Sequence, residues 1–158
     1  MVLGLQVGLT TQRPDLQTIL WSIAVAGQPN QYGAVLRKTI LRLVGCMMGG
    51  LAALYAHFKR PDLFGGALAM SPSLWFGRQE LFAFVTSQPT PNPSRIYFDW
   101  GAREGQDMND PAEAMAAHLR TRGYAEKQLM IRRDAKGQHR ESDWRRRMPK
   151  ALRFMFRR

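Results

Sequence analysis

The sequence predicts an α/β domain in which a mostly parallel sheet is flanked by helices. Three observations carry that prediction. From residue 39 onward, strand-like and helix-like segments alternate, and the helices run to about a dozen residues each. A run of apolar and β-branched residues ends in the glycine-rich corner "GCMMGG", 45–50, and feeds a segment with helical apolar spacing. Hydrophobic residues make up 45% of the 158 positions, enough for one domain with a real core and too few residues for two.

The elements follow in order. Residues 1–38 are the least regular: "LGLQVGL" alternates weakly like a strand, "LQTILWSIAVAG" fits a helix or a buried strand, and "GQPNQYG" is a turn cluster. They are taken as a divergent N-terminal segment preceding a unit at 39–158, with a single domain overall. "TILRLVG" reads as a strand ending at Gly45. Gly49-Gly50 opens a helix whose Leu51, Leu54, Tyr55 and Phe58 fall on one face, and Pro61 stops it. "GGALAMS", 65–71, is a short buried strand, "SPSLWFG" a loop and "RQELFAFVTS" a helix. "QPTPNPS", 88–94, is a proline-rich connection. "RIYFDWG", 95–101, is a strand. "DPAEAMAAHLRTRG", 110–123, reads as a helix with an Asp cap, proline at its first position and glycine past its end. "KQLMIRRD", 127–134, is a strand, "AKGQHRE" a loop, and "SDWRRRMPKALRFMF", 142–156, a closing helix with Pro149 as a candidate kink.

Charge bounds the partners. The formal net charge is +11, which raises the question of an anionic partner. The first 94 residues carry 7 basic and 3 acidic side chains and the last 64 carry 16 and 9, so no basic tail stands apart from a neutral body. Arg145-Arg146-Arg147 lies inside the closing helix and reads as a solvated face. Few aromatic residues interleave with the basic ones, which argues against nucleic acid. No apolar run approaches the roughly 20 residues that span a bilayer. "ILWSIAVAG", 19–27, ends like a secretory cleavage site, but the segment before it is long and barely charged. Cys46 is the single cysteine, so no intrachain disulfide forms, and a reducing, cytoplasmic setting is expected. No Cys/His cluster suggests a metal, no glycine-rich phosphate loop appears, and no cofactor is expected.

Residues 43–66, "LVGCMMGGLAALYAHFKRPDLFGG", have the shape of a strand–corner–helix nucleophile elbow, Gly-x-Ser-x-Gly, except that Met47 stands where the serine would be. The longer run "GCMMGGLAALYAHFKRPDLFGGALAMSPSLWF", followed by "RIYFDWGAREG" and "GQHRESDWRRRMPKALRFMF", resembles the α/β-hydrolase esterases of the enterochelin-esterase and esterase-D type. The resemblance covers about residues 43–156. It implies a partial α/β-hydrolase fold, with the N-terminal strands truncated or divergent, and hydrolysis of a carboxylic ester by a serine, histidine and acid. In that scheme the imidazole takes the serine proton and the acid holds its tautomer. The chain order nucleophile, acid, histidine falls on Met47, Glu104 and His139, with Asp107 as the alternative acid. Met48 N–H would be one oxyanion donor, and Trp75 and Phe76 would wall an ester pocket. Asp99 ranks third as an acid because it lies inside a strand. His57 and His118 lie on helices and read as surface or half-buried positions.

A thioether has no proton to give up and forms no acyl-enzyme, so an inactive or weakly active protein is expected. Cys46 is the alternative nucleophile, but it lies one residue early and should face away from His139. Two other readings stand beside this one. An active esterase completed by Cys46 or by a partner chain would react with a fluorophosphonate or thiol probe. A non-catalytic basic module would bind DNA with salt-dependent affinity. A short front would also leave a sheet edge open, which predicts self-association into a homo-oligomer or poor solubility.

Overall fold

A computed structural model describes residues 42–91 and 94–156. The expectations made for residues 1–38, including the boundary at 38/39, lie outside the described residues. Among the described residues, four strands, β1 (Arg42–Met47), β2 (Gly66–Pro72), β3 (Arg95–Gly101) and β4 (Leu129–Asp134), alternate with four helices, α1 (Met48–Lys59), α2 (Arg78–Ser87), α3 (Gln106–Arg120) and α4 (Glu141–Phe156). The strands lie in the order β1-β2-β3-β4, and every neighbouring pair is parallel. Each C-terminal strand end therefore falls on the same edge. Met47 pairs with Pro72 there, and Gly101 with Asp134.

The two-residue period of a strand sorts side chains to the two faces. Ala67 and Ala69 of β2, with Ile96, Phe98 and Trp100 of β3, meet Leu51, Leu54 and Phe58 of α1, Leu81 and Val85 of α2, and Met115 and Leu119 of α3. The alternate residues Leu68, Met70 and Tyr97 meet Ala151, Phe154 and Met155 of α4. So α1 to α3 cover one face, and α4 returns beneath the sheet centre to cover the other. Strands buried on both faces suit a parallel sheet whose crossovers are helices.

Helix α2 and strand β3 have the bounds their sequences imply. The third helix does not. It starts at Gln106 rather than at Asp110–Pro111, and Pro111 lies inside it. The reason is local. Gly105, at φ 93°, turns the chain so that the N–H groups of Met108 and Asn109 both donate to its carbonyl, and Asn109 Nδ2 donates to the carbonyl of Ala102. Those bonds begin a helix directly from the turn after β3 and override the later proline signal. The strand β1 also runs on to Met47 instead of ending at Gly45. The closing helix continues through Pro149 to Phe156.

His57 corrects another expectation. It is fully buried, its Nδ1 2.9 Å from the carbonyl oxygen of Phe64 and its Nε2 2.9 Å from the Ser94 hydroxyl. Burial pushes its pKa down, which keeps the ring neutral as a structural link between α1 and the chain entering β3.

Candidate active site

The corner between β1 and α1 turns on Gly45, which has no room for a side chain. A Cβ on Gly45 would lie 2.2 Å from the Gly49 carbonyl carbon, so helix and strand approach at their backbones. Met47 takes the turn at φ 53° and ψ −123°. That ψ is far from the left-handed helical well that L-residues occupy at positive φ, so the residue is strained, by roughly 1–3 kcal/mol. Its side chain is 40% exposed and recovers little of this by burial. Met47→Gly is therefore expected to stabilise the fold by about 1 kcal/mol, after the extra chain entropy of glycine is subtracted. An increase in urea midpoint at constant slope checks it, and a decrease would show an unstrained corner.

Met48 is the first residue of α1, and no acidic side chain occupies the first turn. Its N–H belongs to the free positive end of the helix dipole. Cys46 packs on the opposite cluster, against the residues that α4 covers. Burial, reinforced by the carboxylate of Asp99, pushes its thiol pKa up and disfavours a thiolate.

Glu104 and His139 come together. His139 Nδ1 lies 3.3 Å from Glu104 Oε2, with the imidazole 25% exposed and the carboxylate fully buried. The loops that carry them are tied to each other. Ala102 N–H donates to the carbonyl of Asp134, and Arg103 N–H to that of Gly137. A Cβ on Gly101 would lie 2.4 Å from the Gly137 carbonyl oxygen. Asp143, in the first turn of α4, accepts from Gln138 N–H at 3.3 Å and from Arg140 Nε at 2.8 Å, which clamps the histidine loop from its far side. Hydrogen bonds from Arg146 and Arg140 hold the Asp143 carboxyl down at about 2, so the clamp stays ionised.

The other named positions divide. Asp107 stands exposed in the first turn of α3 and does not share the Glu104–His139 contact; with Trp75, Gln106 and Asp110 it lines a cavity of about 340 Å³. Trp75 is 55% exposed, whereas Phe76 packs against the large core. The indole of Trp144 meets His139 edge-on at 5.1 Å and donates to the Ser71 hydroxyl at 3.1 Å. Because Pro72, beside Ser71, pairs with Met47, this indole extends the histidine loop toward the corner.

Arg147 corrects the reading of the arginine run as a solvated face. Arg145 and Arg146 are exposed, but Arg147 is buried, with guanidinium nitrogens 3.0 Å from Asp99 Oδ1 and 2.9 Å from Ser71 Oγ. The signal was present: Trp144, Arg147, Met148, Ala151, Phe154 and Met155 recur at intervals of three and four, on the face of α4 turned to the sheet. Asp99 is likewise buried, and desolvation lifts its carboxyl to about 6 against the pull of Arg147. Among the described residues no group of three or more His, Cys, Asp or Glu is placed to hold a metal, and no helix is long and apolar enough to cross a membrane.

Comparison with known structures agrees with this architecture. The enterochelin esterase from Shigella flexneri is 26% identical, with a TM-score of 0.61 over 73% of this chain and 30% of its own. The enterobactin esterase from Shigella flexneri, in the presence of enterobactin, is 27% identical, with a TM-score of 0.57 over 72% and 30%. A ferulic acid esterase shares the fold at 18% identity and a TM-score of 0.53, over 72% of this chain and 49% of its own. "Uncharacterized protein YbbA" from Bacillus subtilis (strain 168) is 25% identical over 96 residues, 56% of this chain and 38% of that protein. The chain thus spans about a third of the length of most of these relatives. Residues 30–155 match the family described as "Putative esterase", and on that match, with the parallel sheet and corner to support it, the chain belongs to this esterase family.

Proposed function

We propose that this protein carries the acid–base half of a carboxylic-ester hydrolase site, Glu104 and His139, without a nucleophile, and is catalytically silent or nearly so. The observation that carries the reading is Met47. It occupies the strained strand–helix corner of the fold, while the carboxylate–imidazole contact survives three residues past the end of β3 and in the loop after β4. With Glu104 accepting from Nδ1–H, the free Nε2 is the atom that would take a nucleophile's proton. Met48 N–H, at the helix N-terminus, is positioned by sequence to receive a developing oxyanion. The family supports an ester as ligand. Trp75, beside the cavity, is the candidate contact for its apolar part.

The thiol of Cys46 does not replace the serine in this reading, because it is held on the α4 side with its pKa raised. The test is hydrolysis of a short-chain p-nitrophenyl ester by the unaltered chain. We expect no turnover above buffer and no labelling by a fluorophosphonate. Turnover that disappears in His139→Ala would overturn catalytic silence.

A further inference from the structure

We infer that Arg147 and Ser71 are positioning residues, which lock the Glu104 carboxylate so that Oε2 alone remains to orient His139. This rests on the proposed function and deepens the same site.

The geometry is specific about which oxygen does what. Glu104 Oε1 receives three donors from three elements: Gly101 N–H at the end of β3 at 2.7 Å, the Ser71 hydroxyl at the end of β2 at 2.5 Å, and the Arg147 guanidinium of α4 at 3.4 Å. That saturates its lone pairs and fixes the plane of the carboxylate. Oε2 faces His139 Nδ1. The Ser71 hydroxyl has one proton and two lone pairs. Trp144 Nε1–H and Arg147 both donate to it, so its own proton is directed to Glu104. Arg147 is steadied in turn by Asp99, whose other oxygen accepts the Tyr97 hydroxyl at 2.7 Å.

Two further features fit positioning better than core filling. Ser71 is fully buried at φ 42°, a left-handed backbone in a non-glycine residue, which persists where the surroundings over-determine it. Trp144, the donor to Ser71, also packs edge-on against the His139 ring, so one hydroxyl is linked to both members of the pair. The charged groups around Glu104 are Arg147 from α4, Asp99 from β3 and His139 from the loop after β4. Arg147 contacts both carboxylates and offsets their repulsion.

The test reads the imidazole itself. In the full chain labelled with 15N, at about pH 8, His139 is expected to carry its proton on Nδ1. Ser71→Ala deletes one hydroxyl, and Arg147→Lys keeps the charge but not the fork. Each is expected to lose the hydrogen-bonded Nδ1 proton signal and give a mixture of tautomers, as Glu104→Ala should. Should Arg147→Lys fail to fold, as seen by circular dichroism, Ser71→Ala decides alone. Retention of the Nδ1 proton in the folded Ser71 and Arg147 variants, with its loss in Glu104→Ala, overturns the positioning role and leaves the pairing standing. Retention in Glu104→Ala overturns the pairing, and both the proposed function and this inference fall with it.

Discussion

Replacing Met47 with serine is expected to give the protein esterase turnover, at least about 100-fold above the unaltered chain on a short-chain p-nitrophenyl ester. The size follows from what is already built. In a serine protease, removing one triad member lowers kcat by about 10⁴–10⁶, and one oxyanion donor is worth about 10²–10³. Here the histidine and acid are in contact, the corner backbone has the strained form that presents a side chain, and Met48 N–H is the donor that follows it. A second donor would come from upstream, outside the described residues, so the lower end of the range is the expectation. His139→Ala in the Met47→Ser background should return the rate to that of the unaltered chain, and Glu104→Gln should lower kcat with little change in KM. A folded Met47→Ser variant that neither turns over nor takes up a fluorophosphonate would mean that position 47 does not face His139.

The parts of this site that were legible in the sequence are those whose signal is local. Glu104 and His139 each follow a strand by a few residues, behind a glycine, and the esterase resemblance pairs them, with Asp107 left as the alternative acid because chain order fits it equally well. The corner at 45–50 was legible because glycine spacing reports backbone contact directly. Helix α2 was bounded correctly because Gly77, at φ 58°, opens it and a proline-rich stretch closes it. The start of α3 was misplaced because Asp110–Pro111 is a good local start signal, and the turn that overrides it depends on Asn109 reaching back to Ala102. Arg147 and Ser71 were missed for a related reason. They are 76 residues apart, and neither has a local pattern that names the other. An arginine inside a run of three reads as solvent-facing until the helix register is compared with its apolar neighbours.

That buried arginine also sets the largest expected loss of stability. Arg147→Met is expected to destabilise the fold by about 3–5 kcal/mol at pH 8, because it leaves the carboxylates of Asp99 and Glu104 buried without their cation. The pH dependence separates this from lost packing. Asp99 already sits at about 6 in the fold, against an ordinary 3.8, with burial as the main cause and Arg147 opposing it. A carboxyl raised in this way binds its proton more tightly folded than unfolded. Its contribution to stability is present below pH 3.8 and is lost as the pH rises through about 6, above which it no longer changes. Without Arg147 the carboxyl moves higher still, so the window extends upward. The variant should continue to lose stability between about pH 6 and 8, where this group leaves the unaltered chain level. Asp99→Asn in the variant background removes the stranded charge and should recover at least about 1 kcal/mol and flatten the slope. Urea unfolding at about pH 5 and pH 8 for the four proteins of this cycle measures all three effects. A loss below about 1 kcal/mol that is equal at both pH values would mean that Arg147 contributes packing alone, and that the charges around Glu104 are balanced some other way.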